Sequence, residues 1–182
     1  MKKIKILMLH LGYGGVEKQT ISMANALCHK YNIEIVSFYK LAPTPAYTID
    51  SQIKIKYLLD DKPNRNEFKE ALKKIKVLKV IKEGLKAVKI LNKKKSLIKK
   101  EIKLNDYDII FSTRTEYGIL LNKYGNKEKT KITEEHNHIE TNEYRKKITK
   151  NYKNLDYIVV ISKYHERLYK EWFNNAKPQI VQ

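Results

Sequence analysis

Short runs rich in Ile, Val, Leu and Tyr alternate along this chain with longer stretches whose apolar residues recur every three or four positions. No other feature of the sequence limits the fold as tightly. The short runs read as strands at 3–9 (KIKILML), 32–39 (NIEIVSFY), 52–58 (QIKIKYL), 106–113 (DYDIIFST), 129–136 (KTKITEEH) and 156–162 (DYIVVIS). Helical periodicity fills 16–29, 116–124, a stretch running up to Tyr152, and 163–173, with Ser162 as the cap of the last. Pro43 and Pro45 exclude helix and interrupt any ladder, so the segment between the second and third strands is a loop. Strands separated by helices need crossover connections. The expectation is an α/β domain with a doubly wound, mainly parallel Rossmann-like sheet and helices on both faces. The strand at 52–58 alternates Ile and Tyr with Lys and belongs near a sheet edge; the ending AKPQIVQ reads as one more strand.

From Glu67 to about Leu104 the helical period is sustained: Phe68, Ala71, Leu72, Ile75, Leu78, Ile81, Leu85, Val88 and Leu91 recur at three and four residues. A break is expected at Gly84 or in the NKKKS stretch at 92–96. Residues 62–105 form a Lys-rich amphipathic region that holds 16 Lys or Arg against four Glu, which is +12 of the chain's +18. Two readings stand side by side. In one, Lys73, Lys74, Lys76 and Lys79 face an anionic membrane surface. In the other, Lys coats a helix whose apolar stripe packs on the sheet. Specific nucleic-acid binding is disfavoured, because no aromatic RNA-binding signature accompanies the charge.

The 182 residues suffice for one domain, spanning 1–182. Of the 38 basic residues 34 are Lys, alongside abundant Ile and Asn, so part of the excess charge reflects A/T-rich codons rather than a partner. The single cysteine, Cys28, lies in an apolar-periodic stretch and reads as a core thiol in a reducing compartment. Lys5 and His10 interrupt the apolar run of the opening segment, which is therefore a buried strand rather than a signal peptide. No stretch has the 18 or so apolar residues of a membrane span. The expected location is cytoplasmic, peripheral on the inner face of the plasma membrane if the basic region docks there.

Ligands of doubly wound sheets bind beyond the carboxyl ends of the strands, near the reversal of strand order. Three segments fall at such ends: HLGYGGVE (10–17), STRTE (112–116) and EEHNH (134–138). A dinucleotide fingerprint fails in the first, since Glu17 stands where G-x-G-x-x-G counted from Gly12 needs its third glycine, and no carboxylate follows the second strand. The glycines read either as a phosphate-approaching loop or as a turn. Glu134, Glu135, His136, His138 and Glu140 have metal-ligating side chains, but without Cys or a second cluster the expectation is no metal. Ser112 and Ser162 lack the G-x-S-x-G elbow and Cys28 lies in mid-helix, so hydrolysis by a nucleophilic triad is disfavoured.

LGYGGVEKQTISMANALCHKYNIEIVSFY resembles the opening of glycosyltransferase 4 (group 1) enzymes: a strand, the glycine pair Gly14-Gly15 followed by Val16 and Glu17, then a helix carrying the Ala24 to Leu27 run. DYDIIFSTR, KITEEHNH and DYIVVIS resemble the later landmarks in order. The resemblance implies the amino-terminal, acceptor-binding half of a two-domain GT-B enzyme. Such an enzyme transfers a sugar with retention from a nucleotide-sugar donor to a glycan or lipid-linked acceptor, as in bacterial surface polysaccharide or glycolipid synthesis, with no cofactor and no metal. By the same resemblance Gly14, Gly15 and Val16 approach the donor phosphates, His136 is the candidate catalytic residue, with a His that merely caps the strand end as the alternative, and Tyr13, Glu17, Asn137 and His138 line the acceptor cleft. Arg114, one of four Arg and at a strand end, joins that cleft to pair a phosphate or acidic acceptor, or else forms a surface ion pair. A missing carboxy-terminal domain would supply the nucleotide site and paired glutamates, so the chain alone is expected to be inactive. The alternative is a non-catalytic basic α/β module that binds an anionic membrane or polymer.

Overall fold

The computed structural model of the protein describes residues 1–60, 77–136, 139–174 and 176–182, with backbone alone at 77–84. Its elements are β1 (Lys3–Met8), α1 (Gly15–Leu27), β2 (Asn32–Tyr39), β3 (Lys54–Leu59), α2 (Val77–Lys103), β4 (Ile109–Ser112), α3 (Thr115–Tyr124), β5 (Thr130–Glu135), α4 (Asn142–Asn151), β6 (Tyr157–Val160), α5 (Lys163–Trp172) and β7 (Gln179–Val181). The strands form one seven-stranded sheet in the order β3-β2-β1-β4-β5-β6-β7, parallel throughout. The expected Rossmann-like α/β architecture is the one observed, with β3 at an edge.

Chain direction decides where the helices go. The steps from β1 to β2 and from β2 to β3 run one way along the sheet, and every crossover from β3 onward runs the other way. Right-handed crossovers therefore put α1 on one face and the remaining helices on the opposite face. Side chains follow suit. Ile4, Ile6, Ile33 and Ile35 pack with Ile21, Ala24 and Cys28 of the α1 side. Leu7, Val36, Ile110 and Ile158 pack with Ile98, Ile102, Leu121, Ile148 and Tyr169 of the other helices. Both faces of the central strands are covered, so their sequences are apolar throughout rather than alternating.

Two strand lysines depart from that pattern. Lys5 of β1 is 0% exposed, and its ammonium lies 3.5 Å from both Glu34 and Glu101, beside Asp106 and 5.8 Å from the Tyr107 ring. Lys131 of β5 is equally buried and meets Asp156 at 3.4 Å and two backbone carbonyls. A buried ammonium is tolerable only with such partners.

The expected break at Gly84 or 92–96 is absent: α2 is one continuous helix of 27 residues, about 40 Å long. Lys and Ser are adequate helix residues, and one glycine costs only about 1 kcal/mol, which the packing of Ile98 and Ile102 on the sheet offsets. Only this second half is anchored, with Lys94 paired to Glu116 at 2.6 Å and Glu101 to Lys56 at 2.8 Å. Farther toward the amino end Leu85, Val88 and Leu91 are 67%, 55% and 49% exposed among the exposed Lys86, Lys89 and Lys93. Residues 67–76 of the expected helix, including Lys73, Lys74 and Lys76, lie outside the described residues, and Lys79 is described by its backbone alone. Among the described residues no helix is long and apolar enough to cross a membrane.

Candidate functional site

Strand order reverses between β1 and β4, so the loops that leave their carboxyl ends diverge to opposite faces and leave a crevice between them. Arg114 bridges it: its guanidinium donates to the Glu17 carboxylate at 3.0 Å. Glu17 is 4% exposed and belongs to the first turn of α1, where the helix dipole favours a negative charge. Its carboxylate reaches back over Gly14, so a Cβ on that glycine would lie 2.0 Å from Glu17 Oε2. Gly14 is needed for this close approach, while a Cβ on Gly15 would meet open space.

His10 stands beside the pair, with Nδ1 3.6 Å from Glu17 and accepting the Gly12 N–H at 3.2 Å. That bond puts the ring proton on Nε2 in the neutral form. Burial lowers the His10 pKa and the Arg114 charge adds to the effect, against the opposing pull of Glu17. The glycine loop is pinned by a residue that periodicity did not single out. The Tyr47 hydroxyl accepts from Gly14 N–H at 3.3 Å and lies 3.2 Å from the Gly14 carbonyl as donor. Tyr13, 84% exposed, sets its ring edge-on to Tyr47 at the rim.

Beside this bridge lies a cavity of about 340 Å³, lined by residues that include Thr113, Arg114, Glu134, His136, Tyr144 and Lys147. These come from the ends of β4 and β5 and from α4. Glu134 is buried, accepts from the Gln19 amide at 2.9 Å, and lies 3.2 Å from His136 Nε2. The last contact has the distance of an ion pair but not the alignment of a hydrogen bond, and His136 Nε2 has no aligned partner among the described residues. Lys147 is exposed at the mouth and forms no ion pair among the described residues.

Glu135 points the other way, into the core, where its carboxylate accepts from the hydroxyls of Tyr144, Tyr152 and Thr115. Burial raises its pKa against the pull of those donors. The arrangement fixes Tyr144 as a wall of the cavity. Gly118 of α3 makes room for it, because a Cβ there would lie 2.6 Å from Thr133 Oγ1 and 3.0 Å from the Tyr152 hydroxyl.

Of the residues expected in the site, Arg114 and His136 line one cavity, and Glu17 joins the glycine loop to it. Gly14, Gly15 and Val16 adjoin that cavity across the Glu17–Arg114 bridge without lining it, and Tyr13 sits farther out. Asn137 and His138 lie outside the described residues. Glu134 belongs to the EEHNH segment that the sequence places at the crevice, though only as a weighed metal ligand. Tyr47, Tyr144 and Lys147 were not anticipated, and no local signal marks them.

No family model matches the chain, and no curated protein matches it. Among solved structures, sucrose-phosphate synthase from Thermosynechococcus elongatus is similar in fold, with a TM-score of 0.61 and 12% identity over 99% of this chain and 47% of that one. A second, shorter sucrose-phosphate synthase chain from the same organism matches with a TM-score of 0.57 and 13% identity, over 99% of this chain and 87% of that one. The chain thus spans about half the length of the first of these structures, and the likeness is one of fold.

Proposed function

We propose that this chain forms the acceptor-binding wall of a GT-B glycosyltransferase of the glycosyltransferase 4 kind, which moves a sugar with retention from a nucleotide-sugar donor to a glycan or lipid-linked acceptor. The observation that carries this reading is the cavity beside the reversal of strand order, at the carboxyl ends of β4 and β5, with Arg114, Glu134 and His136 at its lining. Its volume suits a small polar ligand. Fold similarity to sucrose-phosphate synthase, a GT-B glycosyltransferase, supports the same reading.

In this proposal the imidazole of His136, beside Glu134 and with its Nε2 without an aligned partner among the described residues, hydrogen-bonds a hydroxyl of the transferred sugar or of the acceptor. Arg114 and Lys147 orient polar or anionic groups of the acceptor. The amides of the Gly14-Gly15 turn, at the start of α1, approach the donor phosphates. Glu17 does not repel them, because Arg114 neutralises its charge. The nucleotide and its paired glutamates belong to a second domain facing this one, so a polypeptide of these 182 residues alone holds acceptor and transfers no sugar. No metal takes part.

The test is transfer from a panel of nucleotide sugars by the product of the uninterrupted reading frame. His136→Ala should lower kcat about 100-fold or more without loss of fold by circular dichroism. Transfer from none of the donors, or full activity in His136→Ala, overturns the reading.

One observation favours a peripheral membrane location for such an enzyme. The overhanging half of α2 exposes Leu85, Val88 and Leu91 beside Lys86, Lys89 and Lys93, which is the combination that partitions into an anionic interface.

A further inference from the structure

At the opposite edge of the sheet from the cleft, three ligand types converge. Helix α1 starts at the carboxyl edge and ends at the amino edge, where Asn32 N–H meets the Lys2 carbonyl. Its C-cap, Cys28, delivers a thiol and the next residue, His29, an imidazole, and the segment that precedes β3 delivers the carboxylate of Asp50. One donor atom from each, S, N and O, lies within 4.8 Å of the other two. Cys28 is buried, His29 exposed and Asp50 half-buried.

The meeting is built rather than incidental. Asn25, one turn earlier in α1, accepts the Asp50 N–H at 3.0 Å and donates its amide to the Thr48 carbonyl at 2.9 Å, so one side chain clamps the loop to the helix. Asp50 Oδ1 is oriented by the Gln52 N–H at 2.9 Å. The Gln52 amide lies 3.3 Å from His29 Nδ1, the kind of outer contact that fixes a ligating ring.

Charge points the same way. Asp50 stands at the negative end of the α1 dipole, which has no basic residue in its last turn. The chain has 34 Lys, yet among the described residues no Lys or Arg pairs with Asp50. A carboxylate and the carbonyl end of a helix lie together where a cation would offset both, beside the Cys28 thiol, which donates to the Asn25 carbonyl at 3.1 Å and would give up that proton to bind a metal.

We infer that Cys28, His29 and Asp50 form a site for a divalent zinc-type ion, with water in the fourth position. Thiolate, imidazole and carboxylate are the donors that zinc accepts in tetrahedral geometry. Metal–ligand distances of about 2.0–2.3 Å require donors about 3.3–3.8 Å apart. The exposed His29 can close that gap by rotating its side chain. On binding, the thiol proton leaves to solvent and the sulfur–metal bond takes its place. Because the site is remote from the cleft, the ion would staple the end of α1 to the loop before β3 rather than enter the reaction.

The test is titration of the purified protein with Co²⁺ and then Zn²⁺. One equivalent of Co²⁺ should give a near-ultraviolet thiolate-to-cobalt absorption that stoichiometric Zn²⁺ removes, and Zn²⁺ should raise Tm. Cys28→Ser should abolish the absorption. His29→Ala, an exposed position whose change leaves the fold intact, and Asp50→Asn should each weaken binding about tenfold or more. Absence of the absorption in the wild-type protein overturns the site. So does equal binding in His29→Ala and Asp50→Asn, which would mean adventitious surface binding only.

Discussion

Arg114 donates to Glu17 at 3.0 Å across the point where the strand order reverses, joining residues 97 positions apart in the chain. The pair fills the gap between the diverging loops after β1 and β4 with a neutral unit. Replacing Arg114 by Met leaves the buried Glu17 charge without its partner. Because Arg114 is 34% exposed and water can enter in its place, the expected loss is roughly 2 kcal/mol, below that of a fully buried pair. Urea denaturation of Arg114→Met, Glu17→Gln and the double variant measures it. A double variant that loses the full sum of the two single losses would show that the residues are not coupled.

Lys5 is the sharper case. Its ammonium is enclosed by Glu34, Glu101 and Asp106, so Lys5→Met strands acidic groups and should cost about 3–5 kcal/mol. Lys30→Met, at an exposed position, should change stability by no more than about 0.5 kcal/mol. Equal denaturation midpoints for the two variants would contradict the buried network.

Acid should act through the same edge of the sheet. Burial alone would raise the Asp106 pKa, but hydrogen bonds and charge from Lys3 and Lys5 outweigh it and bring the group down to about 2. Asp156 is lowered in the same sense by Lys177 and Lys131, again against burial. A carboxyl whose folded pKa lies below its unfolded value contributes stability above the unfolded value, near 4, and loses it as pH falls through the folded one. The unfolding free energy should therefore decline from about pH 4 toward pH 2. Asp106→Asn should have a shallower decline, and an unchanged slope in that variant would refute the assignment.

Glycine substitutions should give opposite outcomes in two helices. Gly to Ala inside a helix ordinarily gains up to about 1 kcal/mol. At Gly118 the new methyl meets Thr133 Oγ1 at 2.6 Å beside the bonded hydroxyl of Tyr152, so Gly118→Ala should lower Tm. At Gly15 it meets nothing within 4 Å, and Gly15→Ala should hold or raise it. Thermal melts decide, and a stabilised Gly118→Ala would mean that the wall of the cavity yields.

Binding to vesicles should require anionic lipid and weaken steeply with salt, as the Debye length shrinks from about 10 Å at 0.1 M to about 3 Å at 1 M. Three lysine contacts supply about 3 kcal/mol, roughly a hundredfold in partitioning. Lys86, Lys89 and Lys93 changed together to Glu should remove that gain in sedimentation assays. Equal binding to neutral vesicles would rule out the electrostatic part.

Local pattern alone determined the parallel Rossmann-like sheet, its strands to within a few residues, and the carboxyl-edge location of the candidate site. Periods of two and 3.6 residues are properties of neighbouring positions, and crossover handedness leaves few topologies to choose from. Capping was legible for the same reason: Ser162 accepts the His165 N–H at the start of α5. Other features were settled only by tertiary structure. Lys5 reads as an interruption of an apolar run, and only Glu34, Glu101 and Asp106 arriving from three other segments turn it into a core residue. Tyr47 looks like an ordinary loop tyrosine until the chain folds it onto Gly14. The expected break in α2 failed because packing of Ile98 and Ile102 outweighs a weak local preference. Glu17 and Arg114 are both visible in the sequence as strand-end residues, but their pairing is not. It depends on β1 and β4 lying side by side with their loops turned apart, and no local period encodes that.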